Sequence, residues 1–185
     1  MQLYTFINNR RKKHIKKLFT LILFATILAG NSASAQVDKS KRPSPPAKVS
    51  ETLSNGTIVT IDYSQPSLKS RTIGKDIAPF GKVWRTGANE ATVFEINKDV
   101  TIEGKTLPAG KYSLYTIPGE KEWTIIFNKT WNQWGTVYKE ELDQLRVTVK
   151  PESTESLKEQ LTFLISKNGE VSIEWGKTEV EFEVK

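Results

Sequence analysis

The chain has 185 residues, 27 Lys or Arg against 21 Asp or Glu, one His and no Cys, for a formal net charge of +6. The excess is confined to residues 1–35, which hold six basic residues, the only His and no acid, so residues 36–185 carry 21 of each sign and no net charge. Neutrality removes the attraction to polyphosphate on which non-specific nucleic-acid binding depends, and a stretch with neither Cys nor His excludes disulfides, thiol nucleophiles, His-based triads and Cys- or His-ligated zinc.

The first segment reads as an export signal. Arg10, Arg11, Lys12, Lys13, Lys16 and Lys17 form a basic n-region, and Leu18 to Gly30 is a thirteen-residue apolar run. Ala33 and Ala35 then stand at the −3 and −1 positions of an A-x-A cleavage site before Gln36. Thirteen residues fall short of the roughly 20 that a membrane-spanning helix needs, which argues for cleavage rather than anchoring. No Cys follows the signal to carry a lipid. The pattern therefore predicts a signal peptide over 1–35 and an exported protein, periplasmic or secreted, with no stable membrane span after cleavage.

Residues 36–48 (QVDKSKRPSPPAK) are polar and rich in proline and read as an extended leader. Residues 49–185 are enough for a single domain with its own core. From Val49 onward the apolar period is two. Asn55-Gly56 separates Val49–Leu53 from Thr57–Tyr63, a strong hairpin signal. Thr92–Ile96 alternates, Glu103-Gly104 follows Val100–Ile102 as a turn, and Leu107–Gly110 turns the chain into Lys111–Ile117. Pro118-Gly119 then leads to Glu122–Asn128. Leu145–Val149 alternates, Asn168-Gly169 separates Leu161–Ile165 from Val171–Trp175, and Val180, Phe182 and Val184 alternate with Glu179, Glu181 and Glu183. Strands with one dry and one wet face belong to antiparallel sheets. About nine or ten short strands at hairpin spacing predict an all-β, antiparallel β-sandwich. Jelly-roll and Ig-like orders both remain open, with at most one short helix, around Ser153–Gln160.

The run Gly81-Lys-Val-Trp-Arg-Thr-Gly-Ala-Asn-Glu-Ala-Thr92, with Leu107-Pro-Ala-Gly-Lys-Tyr-Ser-Leu-Tyr-Thr-Ile-Pro-Gly119, Glu122–Asn128 and Asn132-Gln-Trp-Gly135, resembles an uncharacterised bacterial exported family, domain of unknown function 2911. Arg42-Pro-Ser-Pro-Pro46 and Asp62-Tyr-Ser-Gln-Pro-Ser67 belong to the same resemblance, which covers essentially all of 36–185. Gln65 departs from it, standing where the pattern leads one to expect Arg. The resemblance implies an exported β-rich domain and no established activity.

Several groups could carry chemistry. In Trp84–Glu90 (WRTGANE), Arg85 could serve as a fork for a ligand carboxylate or phosphate, with Asn89 and Glu90 as further hydrogen-bonding groups. The plainer reading, an Arg85–Glu90 ion pair fixing a loop, is favoured because buried charges are normally paired. Trp131 and Trp134 lie with Asn128, Asn132 and Gln133 in a segment lacking period two. Indoles that stack on sugar faces beside amides that bond hydroxyls make a carbohydrate platform; the competing reading folds this loop over an open end of the sandwich with the indoles plugging the core. Asp62 and Glu90 could form a glycosidase-like carboxylate pair, provided that their separation fits. The row Glu179, Glu181 and Glu183 suits cross-strand cations such as Arg146 and Lys150 better than a calcium site.

These readings converge on an exported non-catalytic binding or accessory module for glycan or envelope components, using Trp84, Arg85, Asn89, Glu90, Asn128, Trp131 and Trp134. The alternatives are a carboxylate-dependent hydrolase using Asp62 or Glu90, and a structural partner in an envelope assembly. No cofactor, catalytic group or metal ligand is implied.

Overall fold

The computed structural model of the protein describes residues 38–185. The expected signal peptide, its cleavage point before Gln36 and the first two leader residues lie outside the described residues. A 3-10 turn at Lys39–Lys41 comes first, followed by β1 (Pro46–Thr52), β2 (Ile58–Ser64), β3 (Ile73–Gly74), β4 (Ile77–Pro79), β5 (Thr92–Ile96) and β6 (Val100–Ile102). Next are β7 (Lys105–Leu107), β8 (Gly110–Ile117) and β9 (Trp123–Asn128), a second 3-10 turn at Glu140–Leu142, then β10 (Asp143–Val149), β11 (Pro151–Ile165) and β12 (Glu170–Glu183).

The period-two stretches become strands for the anticipated reason: alternate side chains leave a strand on opposite faces. Six strands form one antiparallel sheet in the order β1-β2-β5-β8-β9-β10. Its inner face carries Val59, Ile61, Phe94, Leu114, Ile125 and Phe127, each fully buried. The opposing layer is the β11–β12 ribbon with the β6–β7 hairpin, contributing Phe163, Ile173, Phe182, Ile102 and Leu107 to the same core. Aromatic rings join the layers: Phe182 of β12 lies 5.8 Å from Phe127 and 6.1 Å from Phe94, and Phe163 meets Tyr63 edge-on at 4.7 Å. The fold is thus all-β and sandwich-like, built from antiparallel sheets apart from the short parallel β3–β4 pair.

Turn chemistry matches the hairpins. Thr57 donates its main-chain N–H to the Asn55 side chain at 2.9 Å in the β1–β2 turn. Glu103 and Gly104 both take positive φ, 47° and 76°, as a two-residue hairpin loop of type I′ requires. At Gly169, φ is +94° and an added methyl would collide with the Val184 carbonyl.

Two expectations change. Ser153–Gln160 is not helical but lies within β11. No residue there is buried, so no core face imposes a period of two, and register shifts between Ser153 and Lys158 and between Lys158 and Thr162 break what alternation remains. The other change is at the start of the domain. β1 begins at Pro46, inside the proline-rich stretch read as a leader, and Pro46 pairs with Ser64 at the sheet edge, where a residue without an N–H is tolerated.

Phe182 is a central contact between the ribbon and the sheet, touching both Phe94 and Phe127. Phe182→Ala is expected to lower stability by about 3–5 kcal/mol, read from the denaturant midpoint; a loss under about 1 kcal/mol would mean that the layers are not joined there.

Candidate functional site

The site grows from the outer face of the six-stranded sheet. Ser113, Tyr115, Ile126 and Asn128 all point outward, yet each is at most 1% exposed. The cover is the segment from Lys129 to Leu142, which crosses this face. Buried polar groups need partners, and the sheet and loop supply them to one another. Ser113 Oγ donates to the Thr130 carbonyl at 2.7 Å and Tyr115 Oη to the Val137 carbonyl at 2.9 Å. Asn128 Nδ2 donates to the Lys139 carbonyl and to Asp143 Oδ1, both at 2.8 Å, while its Oδ1 accepts from the Thr130 N–H.

The same loop clamps the run that ends at β5. The Gly135 N–H donates to the Asn89 carbonyl at 3.0 Å, and the Ala91 N–H donates to the Gln133 carbonyl at 3.1 Å, so Glu90 and Trp134 face each other as an antiparallel bridge. Gly135 is needed for this approach: a Cβ there would lie 2.6 Å from Arg85 Cδ and 2.9 Å from the Asn89 carbonyl oxygen. Upstream, Trp84 exchanges two main-chain hydrogen bonds with Thr116 and so extends the sheet beside β8. Its indole stacks on Trp175 at 5.4 Å and meets Trp123 edge-on.

A cleft of about 310 Å3 results, lined by Val83, Trp84, Arg85, Tyr115, Gly135, Thr136 and Tyr138. Tyr115 and Tyr138 meet edge to face at 4.9 Å. Tyr138 Oη donates to Asp143 Oδ2 at 2.6 Å and accepts from Arg146 Nη2 at 2.7 Å. Burial, together with the hydrogen bond to and the charge of Asp143, pushes the Tyr138 phenol up to about 12, so it stays neutral. Burial likewise raises Tyr115. Among the described residues, no group of three His, Cys, Asp or Glu side chains is placed to hold a metal ion, and no helix is long and apolar enough to cross a membrane.

The candidate residues are sorted by these contacts. Trp84, Arg85, Asn89, Glu90 and Trp134 fall within one neighbourhood. Trp131 and Trp134 are 41% and 50% exposed, so neither indole plugs the core; Lys111 Nζ lies 5.1 Å from the Trp131 ring, an approach that favours a cation–π contact. Asn128 is fully buried and its amide is fully engaged. Asn89 is similarly used, donating to the Ser44 carbonyl and to Ser64 Oγ.

The expected Arg85–Glu90 pair does not form. Glu90 is held by the leader instead: Arg42 Nη1 reaches both its oxygens at 3.0 and 2.8 Å, and Lys39 Nζ lies at 2.9 Å. Sequence distance concealed these partners, 48 and 51 residues upstream. Asp62 pairs with Lys48 at 3.2 Å across β1–β2. The glutamate row also lacks its expected partner in Arg146, which bonds Asp143 and Glu140; Glu181 accepts from Ser172 Oγ and Glu183 pairs with Lys185.

Residues 44–184 match the family described as protein of unknown function DUF2911. The chain is a member of the DUF2911 family. No curated protein and no solved structure matches it. In this DUF2911 domain the run Gly81–Thr92 carries one wall of the cleft, and Asn132–Gly135 carries the clamp opposite. Gln65, at the position where Arg was expected, donates to the Leu161 carbonyl at 3.1 Å and to Tyr63 Oη at 3.3 Å, tying the end of β2 to β11. Tyr115, Thr136 and Tyr138 join the site through tertiary contacts alone. The signal for Tyr115 was present, since an aromatic at an outward position in Tyr112–Ile117 demands a cover.

Burial acts to raise the Glu90 carboxyl, but hydrogen bonds from Lys39, its own main chain and Arg42 bring it down from 4.5 to about 2. A depressed carboxyl contributes stability that is present above its unfolded value and lost as pH falls through the folded one. The denaturant midpoint should therefore fall between pH 4.5 and 2, and Glu90→Gln should flatten that part of the profile. An unaltered slope would show that the leader cations contribute nothing to the fold.

Proposed function

We propose that this DUF2911 domain is an exported, non-catalytic binding module whose ligand is a glycan of the cell envelope or its surroundings. The supporting observation is the Arg85–Tyr138 cleft together with the clamped loop that forms its wall, which holds outward Trp134, next to Gly135 in the cleft lining, and Trp131, farther along beside Lys111. Exposed indoles at a clamped loop offer flat apolar faces to sugar rings, and the clamp limits the ordering entropy that binding would cost. The cleft volume lies at the low end of the range for small-molecule sites, roughly 300–1,000 Å3, a size suited to a short stretch of glycan.

The hydrolase alternative draws little from the same geometry. A general acid must hold a proton near neutral pH, whereas Glu90, with its pKa near 2, is an ionised carboxylate engaged with two cations. Asp62 is paired with Lys48.

A panel of soluble polysaccharides, assayed by retardation in affinity gels and by tryptophan fluorescence, tests the reading. Binding should be weakened about tenfold by Trp131→Ala or Trp134→Ala, with the unfolding midpoint close to wild type because both side chains are exposed. If both variants stay folded and bind as the wild type does, the loop is not the ligand platform. Export has its own test: the protein recovered from outside the cytoplasm should begin at Gln36 on N-terminal sequencing, and retention of residues 1–35 would refute cleavage.

A further inference from the structure

We infer that the glycan recognised in the cleft is acidic, with a single sugar carboxylate, as in a uronic acid, seated on the Arg85 guanidinium; this rests on the glycan-binding reading above. Four arginines lie among the described residues. Arg42 binds Glu90, Arg71 donates to the Ser67 and Leu68 carbonyls, and Arg146 binds Asp143, Glu140 and Tyr138. Neither Arg71 nor Arg85 has a carboxylate partner among the described residues, but Arg71 is held by its two carbonyls at 2.7 and 3.0 Å, whereas the one protein hydrogen bond of Arg85 runs from Nε to the Gly87 carbonyl at a long 3.4 Å. Glu90 is taken by Lys39 and Arg42, and Asp143 by Arg146, Tyr138 and Asn128; Asp76, which lines a neighbouring pocket with Arg85, accepts the Thr72 N–H and forms no ion pair with Arg85. A half-buried guanidinium without a counter-charge is costly, and its planar fork matches a carboxylate.

The position of Arg85 is built rather than incidental. The next residue, Thr86, is fully buried at φ 49°, a conformation that a β-branched residue adopts only when its surroundings force it. Thr86 Oγ1 donates to Thr116 Oγ1 at 3.1 Å, and Thr92 Oγ1 donates to the Thr86 carbonyl at 2.9 Å, holding the strained peptide. On the other side Gly135 lets the loop close against the arginine stem. Tyr115 and Tyr138 spend their hydroxyls inside the protein and present rings to the cleft. Charge recognition there falls to Arg85, the only cation among the described residues that line the cleft. One cation balances one negative charge, which favours a carboxylate over a doubly charged phosphate monoester.

The experiment compares polygalacturonate with the same polymer fully methyl-esterified, using the purified protein and isothermal titration calorimetry. The acid should bind about tenfold or more tightly than the ester, in keeping with a charge-assisted hydrogen bond. Arg85→Gln should bring the two to parity, Arg85→Lys should keep part of the preference, and Trp134→Ala should weaken both polymers alike. Equal affinity of the wild type for acid and ester, or a preference that survives Arg85→Gln, overturns the inference and leaves the glycan reading standing. Tighter binding of dextran sulfate than of polygalacturonate would assign Arg85 to a sulfate ester and overturn the carboxylate. If no polysaccharide binds at all, the glycan reading fails, and this inference with it.

Discussion

The hydrogen bonds from Gly135 to Asn89 and from Ala91 to Gln133 tie a loop with no ladder of its own to the run that carries Arg85. The cleft depends on them. A long irregular segment must find partners for its main-chain groups, and the Lys129–Leu142 segment finds many of them on the sheet it crosses, in the side chains of Ser113, Tyr115 and Asn128. The sheet gains equally, because its outward polar residues become fully buried without being left unpaired. Holding the loop down also fixes where its indoles can go, and the space over the sheet is already filled by Tyr115, Tyr138 and Gln133. Trp131 and Trp134 are left facing outward.

The Val83–Arg85 rung connects this surface to the core. Trp84 takes the place beside β8 that lies beyond the start of β5, where Thr92 pairs with Leu114, and its indole enters the stack with Trp175 and Trp123. Alternation then sends Arg85 to the opposite face. One residue is held by the tight packing of a protein interior, and its neighbour inherits that rigidity at the ligand surface. Strain at Thr86 is the cost of turning the chain there, offset by a local network of threonine hydroxyls.

Charge is arranged in the same economical way. The domain is neutral in sum, and most of its close ion pairs are partly exposed, which limits what each contributes. Their importance is positional. Lys39 and Arg42 bring the start of the described chain against Glu90, and Asn89 holds Ser44, so the polar leader becomes a strap along the edge of the site. Removing Glu90 from the reach of Arg85 leaves the arginine with a counter-charge to find elsewhere.

Sequence alone determined the sandwich, because a period of two obliges alternate residues onto opposite faces, and because Asn55-Gly56, Glu103-Gly104 and Asn168-Gly169 have few conformations other than tight hairpin turns. It also located the rung and the loop, through the dense polar and aromatic composition of Trp84–Glu90 and Lys129–Gly135. β3 and β4 were invisible, being two and three residues long with Gly74 at φ +88°, and Ser153–Gln160 showed no strand period because neither of its faces enters the core. Which charges pair was decided only by the tertiary structure. Arg85 and Glu90 are five residues apart, yet the left-handed turns at Thr86 and Asn89 separate them and topology delivers Glu90 to cations from the leader. Alternation says which side of a strand a residue leaves from; only the packed chain says what waits on that side, and that is why Tyr115 became the floor of a cleft and Arg85 its one charge.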